Sequence, residues 1–350
     1  MAFESSITYT TLHPHFQERV RLHEPLANHS SFGVGGPADI WLSIEQPQEL
    51  HDLVSLCGQH NWPLLVVGMG TNILYADAGV RGIVASLAMQ HYHMEDETEK
   101  SALLVAEAGV RWEPLLRDLL PRGWSGLEFA LNIPGTLGAG IISNVGTRNQ
   151  NLGQALEWIE VLDARNCNRE SSEPLIFPVL VDRRYQHDEL DLRYRHSRFR
   201  NQRLTYIDTE GKLVLPERHL IDPAELVVKL ALRVQRRDPA ALLALAQRKT
   251  HERREDDPGQ RHAGSIFKDP LGTTARTLIE QTGLPGKTRG NAQISKRHAN
   301  YIVNLGGARA SDIAALMIEA HQQVLAQSGI HLEPNVELLG DWADYRAKTP

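Results

Sequence analysis

Cysteine is nearly absent from this chain of 350 residues, with only Cys57 and Cys167. Neither belongs to a Cys-x-x-Cys pair, and two thiols cannot build a disulfide framework, so both read as inert thiols in a reducing compartment. No apolar run approaches the roughly 18 residues of a membrane span, which excludes a spanning helix. The start, MAFESSITYTTLHPHF, lacks a positive segment followed by an apolar one, so no signal peptide is expected and the chain reads as cytoplasmic. There is no excess of positive charge: the formal net charge is −6. That excludes general nucleic-acid affinity, which needs a basic face, although a local Arg or Lys cluster can still bind a small anion. Repeats, low-complexity segments and metal-ligand spacings are missing too. What remains is an ordinary soluble composition, 41% hydrophobic and 23% charged, long enough for two or three domains.

Three textures follow one another. Residues 1–95 read as a first unit. In it Ala38–Ile44 is a strand and Gln46–Gln59 a helix carrying Leu50, Leu53, Val54 and Cys57 at helical spacing. Pro63–Val67, Ile73–Tyr75 and Val80–Leu87 follow as strands. Residues 96–235 form a strand-rich second unit with strands at Ala102–Ala106, Trp158–Leu162 and Leu226–Val234, and a polar excursion at 200–220. Residues 236–350 form a third, α+β unit. A helix begins at Asp238-Pro239, with Asp as cap and Pro in the first turn, and ends in the charge run RKTHERREDD, read as a solvated face. A second helix begins near Ser311 with Ile313, Leu316, Met317, Ala320 and Val324 on one stripe. Leu332–Leu339 reads as a terminal strand.

Two glycine-rich stretches carry the chemistry. Gly68-Met69-Gly70-Thr71-Asn72 follows a strand, as a Rossmann loop would. Ile73 stands where that fingerprint needs its third glycine, and the residues after it are strand-like rather than helical. No Gly-Lys-Ser/Thr follows either stretch, so neither is a P-loop. Without side chains to block approach, Gly68–Asn72 and Pro134–Gly146 can both present backbone N–H groups to a diphosphate. Thr71, Asn72, Ser143 and Asn144 add short side-chain donors. Downstream, Tyr194-Arg195-His196-Ser197-Arg198-Phe199 concentrates donors suited to a carboxylate or phosphate, which Arg can grip through two N–H bonds. Ala263-Gly264-Ser265-Ile266-Phe267-Lys268 is no Gly-x-Ser-x-Gly elbow, so it does not read as a hydrolase.

These segments, in order, resemble the UDP-N-acetylenolpyruvoylglucosamine reductase (UDP-N-acetylmuramate dehydrogenase) family. Asn28–Ala38 is similar to the family's opening segment. Val66–Leu74 and Ile133–Ala139 resemble its two flavin loops, with Gly68, Gly70, Thr71, Asn72, Pro134, Gly135, Thr136 and Gly138 toward the cofactor beside Ser143 and Asn144. Tyr194-Arg195-x-Ser197, Ala263–Lys268 and Ala292–Asn300 resemble its later motifs. The resemblance implies an α+β protein with a two-subdomain FAD-binding fold of the vanillyl-alcohol/p-cresol oxidase type, followed by an α+β substrate-binding domain. It also implies reduction of FAD by NADPH and transfer of hydride to UDP-N-acetylglucosamine enolpyruvate, giving UDP-N-acetylmuramate for peptidoglycan. Arg195 then holds developing negative charge, Ser265 donates the proton, and Tyr194, Ser197, Lys268, His298 and Asn300 contact substrate. No His or Cys lies in either glycine loop, which favours non-covalent FAD.

The chain departs from the family where a catalytic Glu is usual: Leu332-Glu333-Pro334-Asn335-Val336-Glu337 places Asn335 there. An amide can donate a hydrogen bond but cannot carry a proton. Glu333 and Glu337 would share a strand face with it, though roughly 6–7 Å away along the chain. Thr147-Arg148-Asn149, Arg261-His262 and Asp269 also depart from the usual residues. Two other readings stay open at this level: a non-catalytic paralogue that binds flavin or UDP-sugar, and a related flavin oxidase.

Overall fold

The computed structural model describes residues 3–168 and 180–343. Three hydrophobic cores organise it, each built where the sequence pattern changes period.

The first core surrounds a five-stranded sheet in the order Arg21–Leu22, Ala38–Ile44, Val80–Leu87, Leu64–Val67, Ile221–Asp222. The three middle strands run parallel. Strands of a parallel sheet are covered on both faces, so they read as unbroken apolar runs rather than alternations. Leu64–Val67 is buried at every position. One face packs on the helix Pro47–His60 through Leu50, Leu53, Val54 and Cys57, and on an N-terminal helix, Ser5–Phe16, through Leu12 and Phe16. The opposite face buries Leu26, Trp41, Leu65 and Tyr75.

The second core lies under an antiparallel sheet ordered Val181–Gln186, Leu156–Asp163, Glu225–Arg236, Ser101–Glu107, Tyr92–Glu95, with Trp124–Ser125 pairing onto the long middle strand. Trp112, Leu116, Trp124, Ile159 and Leu230 fill it. The helix Pro239–Asp256 has Asp238 as its cap, as expected, but Leu242 packs into this second core. The helix therefore belongs with the second unit rather than with a third unit beginning at 236.

The third core packs the helices Ala275–Gln281 and Ala310–Ser328 on a three-stranded sheet, Thr288–Arg289, Ala292–Ile294 and Ile302–Asn304. The expected stripe of Ile313, Leu316, Met317, Ala320 and Val324 is buried in it. Ile207 and Leu213, from the stretch read as an excursion, are buried here too. The start of Ala310–Ser328 is capped from the first unit. The Asp77 carboxylate accepts the backbone N–H of Ala310 at 2.7 Å and of Ser311 at 3.1 Å, satisfying donors a helix start leaves free.

The terminal strand is shorter than Leu332–Leu339. Glu337–Leu339 pairs in parallel with Ile73–Tyr75 directly after the first glycine loop, while Pro334 makes an isolated antiparallel bridge to Phe267 and the chain bends at Val336 between them. The pairing sets the end of the third unit against the phosphate-loop side of the first.

Leu230 is fully buried on the middle strand of the second sheet. Leu230→Ala should cost about 2–5 kcal/mol, read as a lower urea midpoint with an unchanged slope.

Candidate active site

One long cleft runs where the three units meet. The loop Gly68–Asn72 forms one wall, and Ile133–Gly140 with Ser143 forms the facing wall. Arg195, Arg203, Arg253, His262, Ser265, Tyr301, Asn335 and Glu337 close its far end. A second cleft opens beside it, lined by Arg148, Tyr194, Lys268 and Asp269. Arg195, Ser265 and Asn335 line both.

The two glycine walls press against each other. A Cβ on Gly68 would stand 2.9 Å from Thr136 Oγ1 and 3.1 Å from Ala139 Cβ. On Gly135, where φ is +130°, it would stand 3.1 Å from Thr71 Oγ1. Thr71 donates to the Pro134 carbonyl at 3.3 Å and ties the walls together. The second wall is not loop throughout: Leu137–Ser143 is a short helix capped by Thr136. Glycine at the contact points lets backbone rather than side chains face the cleft, the arrangement a dinucleotide requires.

Asn144 and Ser197 do not face the cleft; both are buried and fully used within the protein. Asn144 Nδ2 donates to the Arg193 carbonyl at 2.9 Å, and its Oδ1 accepts the Gly153 N–H at 2.8 Å. Ser197 Oγ donates to the Ile142 carbonyl at 2.7 Å. Together they pin the turn Arg193–His196 to the end of the Leu137–Ser143 helix. That turn holds Arg195 at φ +52°, a left-handed conformation that costs a non-glycine residue energy and persists only when its surroundings enforce it. The two residues expected to touch ligands instead aim the arginine between them.

Asn300 is likewise structural. Its Oδ1 accepts the Phe267 N–H at 3.0 Å and its Nδ2 donates to the Phe267 carbonyl at 2.9 Å. His298 lies behind the cleft, with its ring 4.0 Å from that of Tyr301, which does line it. Burial pushes the His298 imidazole below its ordinary value.

Asn335 is 6% exposed. Its Nδ2 donates to the Ser265 carbonyl at 3.0 Å, and its own carbonyl accepts from Asn72 Nδ2 at 2.8 Å and Arg200 Nη2 at 2.5 Å. Its Oδ1 is buried without a partner among the described residues. Glu337 lines the first cleft and pairs with Arg203 at 3.6 Å. Glu333 lines neither cleft; it is largely exposed and pairs with Lys268 at 3.1 Å. The two glutamates do not belong to one continuous strand, because the chain bends at Val336 between the bridge at Pro334 and the strand from Glu337.

The site is strongly cationic. Arg200, 3% exposed, has its Nη1 unpartnered among the described residues, and burial lowers its pKa. Burial, then the nearby Arg200 charge, lowers the Lys268 ammonium, against the partial support of Glu333. Cations held together out of water gain most from an anion placed among them. Sequence reasoning missed Arg203, which it placed in an excursion, and Arg253, which it placed in a solvated charge run. Neither residue type nor spacing distinguishes them from surface arginines. His262 was visible only as a departure beside a recognisable motif, and Tyr301, directly after the motif ending at Asn300, was not singled out.

A fold of this kind, with paired glycine walls and a cationic end, defines a flavin-binding oxidoreductase. Residues 38–166 match an FAD binding domain, and residues 256–339 match the C-terminal domain of UDP-N-acetylenolpyruvoylglucosamine reductase. Two reductases of that name are similar over most of their length. The one from Heliobacterium modesticaldum is 32% identical over 91% of this chain and 90% of its own. The one from Chloroflexus aggregans is 35% identical over 91% and 97%. The crystal structure of UDP-N-acetylenolpyruvylglucosamine reductase from Thermus caldophilus superposes with a TM-score of 0.66 at 28% identity, covering 91% of this chain and 99% of that one. The chain belongs to the UDP-N-acetylenolpyruvoylglucosamine reductase family, and it is an FAD-dependent oxidoreductase.

The residues present fit FAD on their own geometry. The Gly68 and Gly135 contacts leave backbone facing the cleft, and Arg203 Nη2 offers it a buried donor with no partner among the described residues. Gly68→Val should wedge the walls apart and weaken FAD binding at least about 10-fold while the fold survives. Flavin fluorescence on titration with FAD, with circular dichroism as the control for folding, reads this outcome.

Proposed function

We propose that the chain reduces UDP-N-acetylglucosamine enolpyruvate to UDP-N-acetylmuramate with NADPH, a step of peptidoglycan precursor synthesis carried out in the cytoplasm. One observation carries the reading: Arg195, Ser265 and Asn335 stand on the boundary shared by a glycine-walled cleft and a cationic one. A substrate in the second cleft would then meet a cofactor in the first at these three residues.

The glycine walls, with Thr71, Asn72 and Thr136, would hold FAD without a covalent bond. FAD supplies, when bound, the hydride it takes from NADPH. The protein's part is to bind, polarise and protonate. Hydride addition to the vinyl carbon of the enolpyruvyl ether pushes an electron pair toward the carboxylate. Arg195, Arg200 and Lys268 surround that region with positive charge fixed in advance, the electrostatic provision that usually contributes most to catalysis. Ser265 Oγ–H is positioned to give a proton to the neighbouring carbon, and water restores the hydroxyl. Tyr194 and Lys268 line the path of the remaining substrate.

Asn335 stands where the family resemblance leads one to expect an acid. Its amide fixes the Ser265 carbonyl at 3.0 Å, so its role is to position rather than to protonate. Glu337 faces Arg203 and balances its charge.

FAD-loaded protein should oxidise NADPH only when the enolpyruvyl sugar nucleotide is present; no such turnover would contradict the proposal. Ser265→Ala should slow reoxidation of the reduced flavin by substrate about 10²–10⁴-fold and leave flavin reduction by NADPH unchanged. Glu337→Gln should leave that protonation step within a few-fold of the parent, whereas a loss equal to that of Ser265→Ala would transfer the acid role to Glu337.

A further inference from the structure

Ser265 lies on a short loop whose two ends are held in different ways. On the C-terminal side the hold is redundant. Asn335 Nδ2 donates to the Ser265 carbonyl, the Ile266 N–H donates to the Asn300 carbonyl at 2.9 Å, and Asn300 clasps both backbone groups of Phe267. On the N-terminal side Ala263 packs on the third core and the Asn304 N–H donates to the Arg261 carbonyl at 2.9 Å, while the backbone next to Ser265 is held by one side chain. The Gly264 N–H donates to His262 Nδ1 at 2.9 Å. Gly264 itself has φ +75°, and a Cβ there would meet nothing within 4 Å. Packing therefore leaves the Gly264 position itself to that hydrogen bond.

The bond dictates the state of the ring. A backbone N–H only donates, so Nδ1 must present a lone pair, and the neutral imidazole carries its proton on Nε2. Nε2 lies 3.6 Å from the Asp257 carboxylate, and the ring packs on Tyr301 with centroids 4.7 Å apart. The charged groups acting on the imidazole are Asp257, which favours protonation, and Arg253, which opposes it. Burial, with Arg253 acting in the same direction, outweighs Asp257 and pushes the imidazole below its ordinary value of 6.5. Protonation places a hydrogen on Nδ1 and breaks the bond to Gly264.

We propose that His262 is a positioning residue for the proton donor. Its neutral Nδ1 holds the Gly264 amide and so aims Ser265 into the junction of the two clefts, and an acidic medium releases that aim. The inference rests on the proposed role of Ser265, and it gives this chain a pH dependence set outside the reacting atoms. The sign follows directly. Above the His262 pKa the ring is neutral and the loop is held. As pH falls through that value the bond is lost, so the protonation step slows on the acid side only.

An Asn at this position can accept the N–H two residues on, through Oδ1, in an Asx turn, and it does not titrate. The test measures reoxidation of the reduced, FAD-loaded enzyme by the enolpyruvyl sugar nucleotide as a function of pH. The parent should show an acid limb, H262N should keep most of the rate without that limb, and H262A should lose about 10- to 100-fold across the range. Reduction by NADPH, measured in parallel, separates a loss confined to the protonation step from a general loss. An acid limb that persists in H262N, or H262A at the parent rate, would overturn the proposal. Nitrogen NMR of histidine-labelled parent protein, with the His262 signal identified by its absence in a variant, provides a readout independent of turnover. It should show Nδ1 unprotonated at neutral pH and titrating below 6.5, with the Gly264 amide moving at the same midpoint. A proton on Nδ1 at neutral pH would overturn the proposal even in protein that turns over no substrate. An inactive parent with the expected NMR signature would instead overturn the proposed function and leave the loop contact standing.

Discussion

Three residues of parallel pairing hold the site together. Glu337–Leu339 lies beside Ile73–Tyr75, and the register puts Asn335 next to Asn72 at the mouth of the first glycine loop. The pairing sets two elements more than 260 residues apart in sequence side by side. Through Asn335 it also reaches Ser265, since one asparagine bonds the first unit with its carbonyl and the third with its amide. Asp77, capping the helix Ala310–Ser328, reinforces the same junction four residues further along the first unit. A loop that binds a dinucleotide and a loop that carries a proton donor come from different cores. This seam, with Phe32 and Val34 packed into the third core, fixes the distance between them.

The buried polar side chains divide into those that shape the site and those left open to it. Asn144, Ser197 and Asn300 spend every side-chain hydrogen bond on backbone, holding the Arg195 turn and the Phe267 strand-like segment. Arg200, Arg203 and Asn335 each keep a buried polar atom without a partner among the described residues. Unpaired buried donors and acceptors are expensive. Arg203 and Asn335 line the first cleft, where a bound ligand would satisfy them, and Arg200 stands behind Asn335.

Much of the fold was legible in the sequence because it rests on periodicity. The strands at 38–44, 64–67 and 80–87 follow from short apolar runs, and the helix from Pro47 and the stripe Ile313 to Val324 from a period of 3.6 residues. The N-terminal helix was not, since Ile7, Thr8, Thr10 and Thr11 are β-branched and Pro14 interrupts it. Packing of Leu12 and Phe16 on the first sheet overrides that local preference. Residue type identified which segments build the site, but not what each side chain does there. Asn and Ser are equally able to hold a ligand or a loop, and only the partner atoms show that Asn144 and Ser197 hold a loop. The arginines that complete the site, Arg203 and Arg253, come from segments with no pattern of their own.

The account turns on two clefts meeting at Arg195, Ser265 and Asn335. Its most direct measurement is the visible spectrum of the oxidised, FAD-loaded protein titrated with the enolpyruvyl sugar nucleotide in the absence of NADPH, with calorimetry recording binding in parallel. Adjacent clefts predict a saturable shift of the flavin bands that follows the calorimetric isotherm. Binding that saturates while the flavin spectrum stays unchanged would place the two ligands apart and contradict it.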